Sequence, residues 1–191
     1  TSGSLSVVNS AQVIVSHASA ASIGWTTQPA STATAGVDFT TQPVIGLYDA
    51  YGNFCGTDST TQVTLSAVLA SDGITTGGGI LNGTLTQAAS SGIVTFTGLN
   101  YTKAENIKLK PTSGSLSVVN SAQIIVSYTA AASLSVTGIA SSAAGTASDV
   151  AVTVKDAYGN TVTTGYAGTV HWISTDAQAI LPGDYTFVSG D

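Results

Sequence analysis

The feature that most constrains this chain is an internal repeat. Residues 1–16 read TSGSLSVVNSAQVIVS and residues 112–127 read TSGSLSVVNSAQIIVS, so the two stretches differ at one position. The sequence Asp-Ala-Tyr-Gly-Asn also occurs twice, at 49–53 and 156–160, with a period of 107 residues instead of 111. A period near 110 exceeds the roughly 20 to 50 residues of solenoid repeats and fits a self-contained β-sandwich of roughly 100 residues.

Alignment of the copies divides the chain into three segments. The N-terminal segment, residues 1–17, corresponds to the terminal strand region of a module; the middle segment, residues 18–127, to a complete module; and the C-terminal segment, residues 128–191, to the front of a further module. The joints between them are short and rich in small residues, which predicts limited freedom between modules. The chain does not open with Met, so we expect it to be a mature piece or a fragment of a longer protein.

Within the segments, apolar residues alternate with polar ones at period two, as in antiparallel strands with one face on a core and one in water. The apolar members of these runs are Val63 and Leu65, Val94 and Phe96, Ile107 and Leu109, and Val150, Val152 and Val154. Turn signals rich in Gly, Asn and Asp separate the runs at intervals of about ten residues. One of them, Gly77-Gly78-Gly79, is interpreted as a hairpin tip. The pattern predicts an all-β sandwich.

Composition excludes several classes of partner. Charged residues make up 7% of the chain and the formal net charge is −6, so no basic patch is available to neutralise phosphates. This argues against nucleic acid and anionic membrane surfaces as partners. No stretch approaches the roughly 18 apolar residues that a membrane-spanning helix requires. The Ser- and Thr-rich, charge-poor composition favours an extracellular location on a cell surface.

The Asp-Ala-Tyr-Gly-Asn motif has a structural interpretation. Its Asp ends a strand, where the carboxylate can accept N–H groups of the turn, and its Gly supplies a position with φ above zero. Its Tyr is expected to bury the ring and keep the hydroxyl hydrogen-bonded. These residues are Asp49, Tyr51 and Gly52 in the first copy and Asp156, Tyr158 and Gly159 in the second.

The same motif, followed by a Gly and the alternating strand at 168–174, resembles bacterial immunoglobulin-like repeats of the invasin and intimin type. Residues 175–187 look like the strand-to-strand connection in such repeats of large bacterial surface proteins, so the resemblance covers essentially the whole chain. It implies tandem immunoglobulin-like antiparallel β-sandwich modules that extend an adhesive tip or build a surface layer. It also implies that no residue is catalytic.

Few side chains could carry chemistry. The chain has two histidines, His17 at a joint and His171 on the outward face of a strand, so we expect no enzyme activity. Scattered loop aspartates could converge on Ca²⁺ together with backbone carbonyls, although capping of turns is the simpler interpretation. The candidate Ca²⁺ ligands are Asp49, Asp156, Asp176 and Asp184.

Three residues are candidates for covalent modification or pairing. Cys55 is the single cysteine, so it cannot form a disulfide within the chain; it is interpreted as a half-buried packing residue, with pairing between chains as the alternative. Asn82 and Asn100 each begin an Asn-x-Thr triplet and are candidate glycosylation sites.

These observations favour a structural function over a catalytic one. The first hypothesis is head-to-tail self-assembly into a surface filament, tube or layer, in which the N-terminal segment of one chain pairs with the C-terminal segment of the next. The apolar residues expected to mediate this assembly are Leu5, Val7, Val13 and Val15. The alternatives are a slice of an adhesin stalk that displays a distal binding tip, and a sugar-binding module beside a secreted hydrolase.

Overall fold

The computed structural model describes residues 9–138, 143–188 and 190–191. In these ranges the regular secondary structure is all β, which confirms the predicted class and is consistent with a β-sandwich. No helix in the described part of the chain is long and apolar enough to cross a membrane. The strands are β1 Ala20–Thr27, β2 Thr32–Thr34, β3 Val44–Asp49, β4 Gln62–Leu69, β5 Leu81–Asn82, β6 Thr86–Ala88, β7 Ile93–Thr95, β8 Asn100–Tyr101, β9 Asn106–Thr112, β10 Ile124–Ser127, β11 Ala131–Thr137, β12 Ala151–Asp156, β13 Thr169–Val170 and β14 Tyr185–Thr186.

The middle segment contains two sheets and a short ribbon. One sheet has three strands in the order β1-β3-β7, and the other has five in the order β2-β10-β9-β4-β6. Strands β5 and β8 form the two-stranded ribbon. The pairs are antiparallel except that β10 runs parallel to β2, with Ile125 opposite Thr32. Strand β10 is therefore held by two neighbours, β2 and β9, in the five-stranded sheet.

The core of the middle segment lies where the apolar alternation predicts it. Ile107 and Leu109 on β9 and Val63 on β4 are fully buried, and Leu65 is 2% exposed. Strands β4 and β9 pair along six positions, so their inward side chains form one continuous apolar face. Side chains from the three-stranded sheet, among them Ile45 of β3, complete this cluster.

The C-terminal segment reproduces the first pairings of the middle segment. Ala131 lies opposite Asp156 on β11 and β12, as Ala20 lies opposite Asp49 on β1 and β3. Strands β13 and β14 pair as β4 and β6 do, and the threonine pair Thr169 and Thr186 joins them through hydroxyls 2.7 Å apart. A small core of Val154, Val162 and Phe187 lies between these strands. The repeat in sequence is thus also a repeat in strand pairing.

Two local predictions differ from the structure. The Gly77-Gly78-Gly79 run is not a hairpin tip: it lies in the connection between β4 and β5, which are not paired with each other. The backbone N–H groups of Gly78 and Gly79 donate instead to Glu105 and Tyr101. Phe96 lies one residue beyond the end of β7 but is fully buried, so its inward direction was predicted correctly, whereas the strand ends earlier than predicted.

Candidate functional site

The first Asp-Ala-Tyr-Gly-Asn turn is organised by a buried carboxylate. Asp49 is the last residue of β3 and is 2% exposed. Its Oδ1 accepts the backbone N–H groups of Tyr51 and Asn53 at 2.9 and 2.8 Å. Its Oδ2 accepts the Asn53 side-chain amide at 3.0 Å and the backbone N–H of Ala18 at 2.9 Å. The carboxylate therefore closes the turn and also fastens the joint that enters the middle segment.

The second turn repeats these contacts. Asp156 Oδ1 accepts the N–H groups of Tyr158 and Asn160 at 2.8 and 2.9 Å. Its Oδ2 accepts the Asn160 side-chain amide at 2.9 Å and the N–H of Thr129 at 3.0 Å. The predicted role of the motif's Asp as an acceptor of turn N–H groups is confirmed in both copies. Gly159, like its counterpart in the first turn, has the expected positive φ, here 80°.

The hydrogen bonds hold both carboxylates in the charged form. The N–H of Ala18 is the largest cause that lowers the pKa of Asp49, which falls to about 2 although burial acts in the opposite direction. Burial also opposes ionisation of Asp156, but the bonds from Asn160 and Thr129 outweigh it and lower its pKa. Each turn is therefore held by a charged carboxylate, and both oxygens of that carboxylate already accept N–H groups.

The tyrosines of the two turns do not bury their rings as expected. Tyr51 is 84% exposed and Tyr158 is 48% exposed. The reason lies in the turn: a backbone hydrogen bond joins Asp49 to Asn53, and another joins Asp156 to Asn160, so each tyrosine lies at the tip of its turn, away from the core. The rings are thus part of the outer surface of each turn.

The second turn also bridges the middle and C-terminal segments. The side-chain amide of Asn160 donates to the carbonyl oxygen of Thr102 at 3.0 Å, and its Oδ1 accepts the N–H of Ala104 at 2.9 Å. Asn160 is 8% exposed as a result. The hydroxyl of Tyr158 lies so close to Gly36 that a Cβ on that glycine would overlap it. One asparagine therefore binds its own turn and the far end of the preceding segment.

The loop that receives Asn160 is itself fixed by a buried network. The Tyr101 hydroxyl donates to Glu105 Oε1 at 2.5 Å, and the N–H of Gly78 donates to the same oxygen at 2.7 Å. Lys103 Nζ lies 3.1 Å from the other carboxylate oxygen. Burial raises the pKa of Tyr101 strongly, so its hydroxyl remains a proton donor to Glu105. Residues 102–105 thus present preformed backbone groups to the next turn.

An open groove of about 750 Å³ runs along this joint. Its walls come from the 102–105 loop, the end of β10 and the second turn, with Lys103 and Lys155 among the lining residues. A second groove, of about 440 Å³, lies at the corresponding place on the first turn. Its lining residues are Val15, Ser16, His17, Asn53, Phe54 and Thr57.

The predicted assembly residues lie partly in the described ranges. Leu5 and Val7 lie outside them, whereas Val13 and Val15, which precede β1 and belong to no strand, are 80% and 88% exposed. By the repeat, these two valines correspond to Ile124 and Val126 of β10, which are 1% and 4% exposed. The same apolar pattern is therefore buried in one copy and exposed in the other.

The candidate Ca²⁺ ligands are not brought together. The described residues contain no group of three or more His, Cys, Asp and Glu side chains that could hold a metal ion. Asp49 and Asp156 are occupied by N–H donors, and Asp176 accepts the N–H of Gln178 at 2.9 Å. Asp184 Oδ1 lies 2.6 Å from Nδ1 of His171, and both side chains are largely exposed. Turn capping accounts for three of the four aspartates.

The modification candidates occupy distinct environments. Cys55 is fully buried rather than half-buried, and its Sγ lies 3.6 Å from the carbonyl oxygen of Ala18, to which it donates. Asn82 and Asn100 lie opposite each other on β5 and β8. The Asn82 amide donates to Asn100 Oδ1 at 3.0 Å, and the Asn100 amide donates to Asp38 at 2.8 Å.

Comparison with known proteins does not place the chain in a family. No protein-family model matches it, and no curated protein matches it. The joint therefore has to be interpreted from its own geometry. Sequence reasoning identified the Asp of the motif as structural but missed the function of Asn160 as a bridge. The sequence offered no signal for it, because Asn53 has the same place in the motif and forms no such bridge among the described residues.

Proposed function

We propose that this chain is an extracellular structural protein of immunoglobulin-like repeats that self-assembles head to tail on a cell surface by strand complementation. Residues 5–16 of one chain pair with residues 128–191 of the next. The observation that carries the proposal is the contrast between Val13 and Val15, at 80% and 88% exposed, and their buried equivalents Ile124 and Val126. Full burial of each valine stabilises by about 1.5–3 kcal/mol.

The receiving surface has the complementary property. Leu134 on β11 is 43% exposed, whereas its equivalent on β1, Ile23, is 6% exposed. Val136, two residues further along β11, is 45% exposed. Exposed apolar residues of this kind mark an interaction site, and the edge of β11 that does not face β12 is a template for pairing with another chain.

The middle segment shows which contacts a donor of this sequence can make. There, Ser117 accepts the N–H of Ile23 and donates its own to Ala21, both at 3.0 Å, so this part of the segment runs along β1. Further on, β10 pairs in parallel with β2. A donor with the same sequence can therefore bind one strand in each of the two sheets. Contacts with two sheets support complementation even though the donor does not supply every strand that the module lacks.

The experiment compares two alterations of the donor. Val13→Ser with Val15→Ser removes the inward-facing pair, whereas Ile14→Ser changes the residue between them, whose equivalent Ile125 is 48% exposed. Sedimentation velocity over a concentration series and negative-stain microscopy should show polymers for the unaltered chain and for Ile14→Ser. The double variant should remain monomeric. Polymers of unchanged length in the double variant would disprove strand complementation.

A slice of an adhesin stalk is the second candidate, and the Asn160 bridge favours it. Asn160 donates one hydrogen bond to Thr102 and accepts another from Ala104, and the two bonds restrict the joint between successive segments, as a stalk requires. The same experiment separates the candidates. Isolated rods that remain monomeric at every concentration would favour the stalk over the polymer.

A further inference from the structure

The two Asp-Ala-Tyr-Gly-Asn turns have the same internal hydrogen bonds but different surroundings. In the second turn Asn160 is 8% exposed and Tyr158 is 48% exposed. In the first, Asn53 is exposed and Tyr51 is 84% exposed. Because the sequence and the internal bonds are the same, the difference comes from what covers each turn.

At the second turn Gly36 lies against the ring of Tyr158, and the 102–105 loop covers Asn160. It supplies one carbonyl oxygen and one N–H, two residues apart, to the two ends of the Asn160 amide. In the first turn the Asn53 amide still donates to Asp49, but its Oδ1 accepts no hydrogen bond from the described residues. A primary amide can donate to one backbone carbonyl and accept from one backbone N–H at the same time. Asn53 is therefore still able to form the two hydrogen bonds that Asn160 forms with the 102–105 loop.

The grooves beside the two turns correspond residue by residue. Five residues that line the groove at the first turn occupy the repeat positions of five that line the joint groove. These are Val15 for Val126, Ser16 for Ser127, His17 for Tyr128, Asn53 for Asn160 and Phe54 for Thr161. The joint groove has further walls from Lys103 to Asn106. The groove at the first turn thus corresponds to the joint groove with the walls of the 102–105 loop removed.

We propose that the Tyr51–Gly52–Asn53 turn is a docking surface for a 102–105-type loop at the end of a preceding module of the same repeat. The source of that module is indicated by residues 9–16, which repeat residues 120–127, the stretch that leads from this loop into the joint. The contact fixes the orientation of successive modules. It is a contact between successive modules of one chain, as in a stalk, and needs no strand exchange.

The test extends the full chain by a copy of residues 17–111 placed ahead of Thr1, so that residues 1–16 complete a second module. Hydroxyl-radical footprinting with residue-level mass spectrometry then compares the reactivity of Tyr51 with that of Tyr158. In the unextended chain Tyr51 should be about 1.7-fold more reactive, the ratio of their exposed fractions of 84% and 48%. In the extended chain Tyr51 should fall to the level of Tyr158, and Asn53→Ala should restore it.

A second comparison uses the chain without extension, so the proposal does not depend on folding of the added module. Asn160→Ala should raise the reactivity of Tyr158 to that of Tyr51, whereas Asn53→Ala, which loses the same bond to its own aspartate, should leave Tyr51 unchanged. An unchanged Tyr158 in Asn160→Ala, or an unprotected Tyr51 in a folded extended chain, would overturn the proposal. Protection of Tyr51 that grows with concentration of the unextended chain would also overturn it, by assigning the surface to a second chain.

Discussion

The backbone N–H of Ala18 donates to Asp49 across 31 positions of sequence, at 2.9 Å, and ties the start of the middle segment to the turn after β3. The second copy repeats the contact between Thr129 and Asp156 at 3.0 Å. Each joint is therefore fastened to the turn that follows it, and in the second copy Asn160 also binds the preceding loop. A short joint with this many bonds transmits orientation from one segment to the next.

The charge of Asp49 should make the stability of the middle segment depend on pH. Its pKa in the folded chain is about 2, below the ordinary value of 3.8. A depressed pKa stabilises the folded form above the ordinary value, and that contribution is lost as the pH falls from about 4 toward 2. Urea unfolding followed by fluorescence between pH 2 and 7 measures it. Asp49→Asn should be less stable at neutral pH and show a smaller acid dependence.

Asp176→Asn is the matched control for that experiment. Asp176 lies in an exposed turn and accepts one backbone N–H within its own loop, so its replacement removes the same charge without touching the turn after β3. The acid dependence of the middle segment should be unchanged in this variant. An acid dependence that is equally reduced in both variants would assign it to net charge rather than to the Ala18 contact.

The Glu105 network should contribute measurably to stability. Glu105→Ala leaves the buried Tyr101 hydroxyl and the N–H of Gly78 without their acceptor. Loss of a buried hydrogen-bond partner costs about 1–3 kcal/mol, so the free energy of unfolding should fall by that amount. Lys103→Ala removes the ion pair alone; the lysine side chain is 48% exposed, and a surface pair of this kind contributes about 0–1 kcal/mol. Equal losses in the two variants would show that the ion pair dominates.

Cys55 should react with thiol reagents only after unfolding. The side chain is fully buried, and burial, followed by the charges of Asp49 and Asp58, raises its pKa, so the reactive thiolate is scarce in the folded chain. Labelling with a chromogenic disulfide reagent should be slow in buffer and complete in denaturant. Rapid labelling of the folded chain, or dimers that dissociate on reduction, would instead support pairing between chains.

The alternation of apolar and polar residues predicted the class of the fold, because the inward face of each strand is apolar and its outward face is polar. Ile107 and Leu109 alternate with lysines and are buried as expected. The bridge by Asn160 was not predictable in this way, since its partners Thr102 and Ala104 contribute backbone atoms, which every residue has. The exposure of Tyr51 was mispredicted because residue type suggests burial, whereas the turn closed between Asp49 and Asn53 places this tyrosine at its tip.

The two candidate glycosylation sites should differ in occupancy. Asn82 is exposed, whereas Asn100 is half-buried, follows the buried Leu99 and precedes the buried Tyr101. In a glycosylating secretory host, peptide mapping by mass spectrometry should therefore find glycan at Asn82 and not at Asn100. Asn82→Gln should be secreted without glycan, whereas Asn100→Gln should keep the glycan at Asn82; glycan on Asn100 of the folded, secreted chain would contradict the burial of Asn100 between Leu99 and Tyr101.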